Sequence, residues 1–257
     1  MSRDKLEKVF ALQKEKPEII NEIDYLFSCK HKEIPDTDVT YSIGDLHGML
    51  EQTLELVQLI YSDIEKRKGQ TYKIIFHGDF VDRGLNSKSV LDYLMHLENE
   101  DSNVYFLMGN HDQMLLQYCE EYVYAGYRTS YPETFDSFVD TNYAIPDNYI
   151  KWISKLHVAF EDSQRIYVHA GINPHKTIQN TSECIWIRNE FLNYPWDFKK
   201  IVVHGHTPDE TGPVFLNNRV NVDTGVFYSG ILSCAVFEKS GHTILQSIGK
   251  PIARFRN

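Results

Sequence analysis

Cysteine, long apolar runs and positive charge are all scarce in this chain, and each shortage excludes a class of protein. The four cysteines among 257 residues lie far apart, and no pair has the spacing of a disulfide framework or a zinc knuckle. No apolar run approaches membrane-spanning length, and no signal-peptide core follows the first charged residues. We therefore expect reduced thiols in a soluble, cytoplasmic protein that has no membrane partner.

The shortage of positive charge argues against a nucleic-acid partner. The formal net charge is −10 at pH 7, whereas proteins that bind a phosphate backbone need a basic face. An anionic substrate would therefore need a local positive site. No linker rich in proline, glycine or serine divides the chain. We predict a monomer with a helical extension over residues 1–35 and one folded domain over residues 36–257.

Short β-rich runs alternate with apolar patterns of helical period. Three such runs, at 39–43, 72–76 and 104–108, each end in a polar cluster and precede a predicted helix. This alternation favours a largely parallel sheet with right-handed crossovers, whose strand ends share one edge. Two later runs, at 165–168 and 201–203, also precede histidines, and the remainder favours an antiparallel finish. The sequence therefore predicts an α/β fold.

The segment at about residues 113–162 differs from its surroundings because tyrosine, phenylalanine and tryptophan are frequent there and two prolines interrupt it. We predict a helical insert whose aromatic side chains serve mostly in packing. Its exposed part is our candidate for substrate selection.

Five predicted strand ends carry aspartate, asparagine or histidine. Each cluster alone is an ordinary turn or helix cap, but all five are expected at one cleft. Carboxylate and amide oxygens mixed with imidazole nitrogens suit Mn²⁺, Fe²⁺ or Zn²⁺. Two such ions about 3.5 to 4 Å apart can stabilise both oxygens of a displacement at phosphorus. The residues are Asp45 and His47, Asp79, Asn110 and His111, His169, and His206.

Five motifs contain these residues, in this order along the chain: Gly-Asp-Leu-His-Gly at 44–48, Gly-Asp-Phe-Val-Asp-Arg-Gly at 78–84, Gly-Asn-His-Asp at 109–112, Val-His-Ala-Gly at 168–171 and His-Gly-His-Thr-Pro at 204–208. The ordered set resembles the calcineurin-like metallophosphoesterases, and more narrowly the PPP-type serine/threonine protein phosphatases of bacteria and phages and the related symmetrical diadenosine tetraphosphate hydrolases. The resemblance implies a four-layer α/β/β/α fold, in which a mixed β-sheet sandwich is flanked by helices and a dinuclear metal site lies at the strand carboxyl ends.

The resemblance also implies a set of metal ligands. His206 is preferred to His204 because the family's ligand is the histidine of Gly-His-Thr. Pro208 stands where broader members carry a further histidine, which favours the PPP branch. Two divalent ions are implied, with Mn²⁺ foremost and Fe²⁺ or Zn²⁺ as alternatives. The implied ligands are Asp45 and His47 for the first ion, Asp79 as the bridge, and Asn110, His169 and His206 for the second.

Four further side chains receive catalytic roles from the resemblance. A hydroxide that bridges the ions would attack phosphorus directly, His111 would protonate the leaving oxygen, and Asp82 would orient His111. Arg83 and Arg188 would bind the phosphate oxygens. We predict that the neighbouring Trp186 belongs to the core. The predicted substrate contacts are Arg83, Arg188, Asn110 and Tyr228.

The first functional hypothesis is a metal-dependent phosphomonoesterase that acts on phosphoserine or phosphothreonine in proteins, and on phosphotyrosine by extension. The alternative is a symmetrical diadenosine tetraphosphate hydrolase, which would use the same metals, nucleophile and arginines. A catalytically silent metal-binding scaffold is disfavoured because every expected ligand and the acid are present. The expected partner is a phosphoprotein or a phosphorylated small molecule.

Overall fold

The computed structural model describes residues 31–121, 130–176 and 181–252. The strands are β1 (His31–Glu33), β2 (Val39–Ile43), β3 (Tyr72–Phe76), β4 (Val104–Phe106), β5 (Ala159–Glu161), β6 (Arg165–Val168), β7 (Ile201–His204), β8 (Val214–Phe215), β9 (Arg219–Asn221), β10 (Ile231–Glu238) and β11 (Gly241–Ile248). The helices are α1 (Leu50–Lys66), α2 (Ser87–Glu100), α3 (Asn110–Glu121), α4 (Pro132–Asp136), α5 (Asp147–Ile153), α6 (Thr181–Trp186), α7 (Asn189–Leu192) and α8 (Val226–Ser229), with a 3₁₀ turn at Val139–Thr141.

The first sheet contains the three predicted β–α units. Its strand order is β11-β10-β2-β3-β4, in which β2, β3 and β4 run parallel and β10 runs antiparallel to both of its neighbours, β2 and β11. The register pairs Ile43 with Phe76 and Phe76 with Phe106. The loops that follow these three strands therefore leave the sheet at the same edge, as the alternation predicts.

The second sheet has the order β1-β5-β6-β7-β9-β8 and is also mixed. Strands β6 and β7 run parallel, with Tyr167 opposite Val203. The histidines that follow them, His169 and His206, therefore emerge at a shared edge. Parallel pairing of β6 and β7 thus brings two loops distant in sequence to one place.

Strand β3 is buried on both faces because it lies in the middle of the layers. Ile74 and Phe76 belong to a cluster shared with helices α1 and α2, whereas Ile75 packs between the two sheets with Tyr167 and Ala235. Helices α6 and α7 contribute to the same buried cluster as Ile74 and Phe76, together with residues of β6 and β7. The predicted α/β fold, with two mixed sheets and flanking helices, is confirmed.

A buried ion pair crosses the space between the sheets. The ammonium of Lys73, on β3, donates to Asp162 at 2.6 Å and to the Pro35 carbonyl at 2.9 Å. Asp162 also accepts from the Tyr167 hydroxyl at 2.7 Å. Because both charged groups are almost fully buried, the pair requires this set of hydrogen bonds.

Two predicted segments differ from the structure at their boundaries. Residues 31–33 form the edge strand β1 rather than the end of a helical extension, because they pair with β5 and His31 bonds Glu161 at 2.9 Å. The rest of the predicted extension lies outside the described residues. The helical insert ends before β5, since residues 159–161 join the second sheet. Within the described ranges, no helix combines the length and apolarity needed to cross a membrane.

Candidate active site

The loops that follow the strands adopt a backbone conformation that is unusual for residues other than glycine. Positive φ in a residue with a side chain is strained, and such residues cluster at functional sites. Seven non-glycine residues with positive φ occur in the described parts of the chain, and five of them are predicted site residues. Those five are His47, Asp79, Asp82, Arg83 and His206.

Two groups of ligand atoms share the carboxylate of Asp79. One group joins it to His47 and His111, the other joins it to His169 and His206, and within each group the atoms lie within 4.8 Å of one another. All five side chains are buried. A carboxylate common to two groups is the arrangement that a bridged pair of ions requires.

His169 faces lone pairs rather than hydrogen-bond donors. Its Nδ1 donates to the His77 carbonyl at 2.7 Å, which leaves Nε2 unprotonated when the ring is neutral. That Nε2 lies 3.0 Å from Asn110 Oδ1 and 3.5 Å from Asp79 Oδ1. Such convergence of nitrogen and oxygen lone pairs suits a cation.

His206 contributes a second available nitrogen. Its buried Nε2 has no hydrogen-bond partner among the described residues. Burial, with His169 adding to it, lowers the pKa of His206 to about 2, so the ring is neutral and can act as a ligand. An orphaned buried imidazole nitrogen beside Asp79 fits a divalent ion.

Asp45 lies against the second group. Its carboxylate accepts from the His206 backbone amide at 3.2 Å and lies 4.0 Å from His169 Nδ1. The group of ligand atoms that contains His47 includes His111 and does not include Asp45. The assignment of Asp45 to the first ion stays a prediction.

Several buried acids crowd the centre, and burial together with their mutual repulsion opposes ionisation of most of them. Burial, with repulsion from Asp79, raises the pKa of Asp112 to about 7, and burial likewise raises that of Asp223 to about 7. Burial and the neighbouring Asp223 raise the pKa of Asp45. Burial also opposes ionisation of Asp79, but the imidazoles around it, His169 foremost, hold its pKa below the usual range. Cations would relieve this repulsion, so the residues fit two divalent ions.

His111 and Asp82 form the predicted acid pair. His111 Nδ1 lies 2.6 Å from Asp82 Oδ2, and Asp82 Oδ1 accepts from the Thr134 hydroxyl at 2.6 Å. Although burial opposes protonation, Asp79 and Asp82 outweigh it and raise the pKa of His111. A histidine that holds its proton beside the ligand groups can protonate a leaving oxygen.

The two predicted arginines approach the centre from different segments. Arg83 lies 5.3 Å from the ring centre of Tyr131 and 5.1 Å from that of Phe227, a cation–π arrangement that limits its movement. Arg188 is exposed and donates to the Thr207 hydroxyl at 2.8 Å, next to His206. Both guanidinium groups lie close to ligand residues.

Phe227, the neighbour of the predicted substrate contact Tyr228, lies against a predicted metal ligand. The Phe227 ring lies 5.1 Å from that of His47, edge to face. Tyr228 instead packs its ring over Gly225, where a Cβ would come within 2.3 Å of the ring. Gly225 has φ +63 and turns the chain there. A substrate contact by Tyr228 stays a prediction.

Trp186 was predicted to belong to the core, and this is wrong. It is 41% exposed, because its neighbours Ile185 and Ile187 occupy the buried side of the segment. Its indole N–H donates to Gln113 at 2.7 Å. Tyr131, Thr134, Gln113 and Phe227 were not identified from the sequence, since none of them lies within a motif.

The fold and the candidate site are those expected of a metallophosphoesterase, and comparison of the sequence with known protein families gives the same class. Residues 40–232 match the calcineurin-like phosphoesterase family. Because this match spans most of the chain, the chain belongs to that family, and the predicted hydrolase class is confirmed.

Two relatives have names that concern nucleotides. The asymmetrical bis(5'-nucleosyl)-tetraphosphatase PrpE of Anoxybacillus flavithermus is 26% identical over 74% of this chain and 87% of its own. The symmetrical bis(5'-nucleosyl)-tetraphosphatase of Salmonella paratyphi C is 31% identical over 56% of this chain. The second match spans 47% of that relative's length.

Solved structures share the fold at lower identity. A candidate diadenosine tetraphosphatase superposes with a TM-score of 0.63 at 21% identity, over 86% of this chain and 98% of the other. A protein serine/threonine phosphatase of Saccharomyces cerevisiae gives 0.53 at 16% identity, over 97% of both chains. A cold-active protein-tyrosine phosphatase of a Shewanella species gives 0.54 at 18% identity, over 84% of this chain and 79% of that one.

Proposed function

We propose that this chain hydrolyses phosphate anhydrides and esters at a centre of two divalent metal ions, held by Asp45, His47, Asp79, Asn110, His169 and His206. The observation that carries the proposal is the buried Asp79 carboxylate shared by two ligand groups. When bound, two such ions would make water nucleophilic and neutralise the phosphate. Mn²⁺ is the first choice, and Fe²⁺ and Zn²⁺ also suit these ligands.

The protein's own side chains would carry the remaining steps. Arg83 and Arg188 hold the phosphate oxygens, and Asn110 contacts the substrate near His111. As the water oxygen bonds to phosphorus and the bond to the leaving oxygen breaks, His111 gives its Nε2 proton to that oxygen. Asp82 keeps the ring in position and stabilises its protonated form.

We propose dinucleoside polyphosphates as the leading substrates. The support comes from the sequence relatives, two of which are bis(5'-nucleosyl)-tetraphosphatases. The second candidate is phosphoserine or phosphothreonine in a protein, with phosphotyrosine by extension. Thr207 and Pro208 favour it, because this ending after His206 resembles the PPP branch.

The test offers both substrates to the same preparation. The chain loaded with Mn²⁺ is incubated in parallel with diadenosine tetraphosphate and with a phosphoserine peptide, with chelator-treated protein as the control. The expected result is metal-dependent cleavage, with two ADP from a symmetrical enzyme or ATP and AMP from an asymmetrical one. Faster release of phosphate from the peptide would establish the second candidate, and failure on both substrates would refute the proposal.

We also propose that the chain acts as a monomer in the cytoplasm, without nucleic acid or membrane. The net charge of −10 supports the exclusion of nucleic acid. Light scattering of the metal-loaded chain would measure its mass, and a dimer mass would contradict this part of the proposal.

A further inference from the structure

Trp186 is a large aromatic side chain at the rim of the centre, and no role assigned above uses it. Its ring centre lies 6.4 Å from that of the ligand His206, at 77°. Ile185 and Ile187 anchor the segment in the core on either side. The chain therefore supports an exposed indole at a fixed point, although burying such a ring would contribute more to stability.

The orientation of the indole is also fixed. Its N–H donates to Gln113 Oε1 at 2.7 Å, and Gln113 is buried in the first turn of α3, next to the ligand Asn110. The single polar atom of the indole is therefore satisfied. The exposed part of the side chain can offer aromatic surface but no further hydrogen bond.

Arg188 lies on the same side of the centre. It follows Trp186 by two residues and bonds Thr207, the neighbour of His206. Both side chains are thus placed next to His206 or its neighbour, so a phosphate bound by Arg188 would lie on the side of the centre where the indole is exposed. On the other side, Tyr131 and Phe227 already hold Arg83 between them.

We propose that Trp186 is the stacking platform for a nucleobase carried by the substrate beyond its reacting phosphate. The inference rests on the proposed function and narrows its substrate class to nucleotides. Every base has a π-face, and stacking on an aromatic side chain needs no base-specific hydrogen bond. The platform therefore selects for a nucleoside without distinguishing among bases.

Steady-state kinetics of the Mn²⁺-loaded chain on two substrates test the platform. Diadenosine tetraphosphate carries bases, whereas inorganic tripolyphosphate carries none. Trp186→Ala should raise KM for the dinucleotide by about 5- to 150-fold, the range expected for one lost stack. It should leave tripolyphosphate hydrolysis within about twofold of the unmutated rate. Trp186→Phe should retain most of the affinity, because it keeps an aromatic ring.

Trp196→Ala is the matched control, since Trp196 is also exposed and lies outside residues 185–188. It should change neither KM for the dinucleotide nor the rate of tripolyphosphate hydrolysis. An equal loss on both substrates in Trp186→Ala would assign the residue a structural role, and no change on either would remove it from the site. Cleavage of tripolyphosphate with no cleavage of the dinucleotide by the unmutated chain would refute the inference but preserve the phosphoesterase proposal.

A binding measurement separates the inference from turnover. ADP should quench the tryptophan fluorescence of the metal-loaded chain, and pyrophosphate should not. The quench should disappear in Trp186→Phe and persist in Trp196→Phe. A quench of equal size in both variants would overturn the platform even if the chain hydrolysed neither substrate.

Discussion

At the scale of single residues, Asp79 is the side chain on which the whole centre depends. Both ligand groups contain it, and its Oδ1 also accepts from the His111 amide at 2.9 Å. Replacing it would remove a ligand from each of the two proposed ions and a hydrogen-bond acceptor from the His111 amide. The loss should therefore be simultaneous rather than confined to one ion.

Asp79→Asn is expected to bind fewer than two ions per chain and to lose at least about 100-fold in kcat/KM. Mutating residues that only hydrogen-bond to metal ligands already lowers metal affinity or activity by about 10- to 100-fold. Elemental analysis after gel filtration measures the ions. Asp197→Asn, at an exposed position, is the control and should keep both. Full metal content in Asp79→Asn would contradict the shared-carboxylate interpretation.

His111→Ala should retain the metal and lose about 10²- to 10⁴-fold in turnover, the usual contribution of a general acid. The loss should be largest for phosphate esters of alkyl alcohols and small for dinitrophenyl phosphate, whose leaving oxygen needs no proton. Equal losses on both esters would exclude the acid role. A variant that loses metal would instead assign His111 to the ligand group in which it lies.

The pKa of His111 gives a pH dependence with a definite sign. Asp79 and Asp82 outweigh burial and raise that pKa, so the acid form persists to higher pH. Asp82→Asn removes one of the two charges, and the basic limb of kcat against pH should therefore move to lower pH. A basic limb that stays in place would show that another group sets it.

At the scale of elements, the helical insert contacts the predicted His111–Asp82 pair through a hydrogen bond to Asp82. Thr134, in α4, donates to Asp82 and lies fully buried. Removing its hydroxyl while keeping its shape leaves the carboxylate short of a partner. We therefore expect the insert to influence catalysis through Asp82, in addition to any part in substrate selection.

Thr134→Val should lower the free energy of unfolding by about 1–3 kcal/mol, the range for a buried group left unsatisfied. Urea unfolding of the metal-free chain measures this loss, and kcat should fall as His111 loses its orientation. Thr243→Val, on the exposed part of β11, should leave both quantities unchanged. An unaltered midpoint in Thr134→Val would show that water replaces the hydroxyl.

The sequence predicted the elements whose information is local. The apolar runs of β2, β3 and β6 end at their polar clusters, so their strand ends and ligand loops followed directly. Strand β1 was missed because its only reason to be extended is pairing with β5, more than 120 residues away in the chain. Trp186 was misassigned because its hydrophobicity suggests burial, whereas Ile185 and Ile187 decide which side faces inward. Phe227 was missed because nothing in the sequence places its ring against that of His47.

At the scale of the whole molecule, the Lys73–Asp162 pair ties the first sheet to the second. Burial opposes ionisation of Asp162, but Lys73 and Tyr167 outweigh it and hold its pKa below the ordinary 3.8. A lowered carboxyl pKa contributes stability above the unfolded value and loses it as pH falls. This contribution should therefore decline as the pH drops below about 4.

Lys73→Met is expected to cost about 3–5 kcal/mol at pH 7, because it leaves a buried carboxylate without its counter-ion. Lys73→Met combined with Asp162→Asn should recover part of the loss, as measured by urea unfolding. The exposed pair Lys239–Asp38, at 3.5 Å, supplies the control, and Lys239→Met should have no measurable effect. A double variant no better than the single one would show that packing, not charge, is lost.

The proposed ligands come from both sheets: Asp79 and Asn110 follow strands of the first, whereas His169 and His206 follow strands of the second. Ions bound among them would link the two sheets along one edge. Unlike the Lys73–Asp162 ion pair, this link would depend on the ion concentration. Binding to the folded chain alone raises its stability with ion concentration. Chelation should therefore lower the melting temperature and speed amide hydrogen exchange at the ends of β2, β3, β6 and β7 together. The proposed metal centre would then also hold the two sheets together, and removing the ions would reverse this stabilisation.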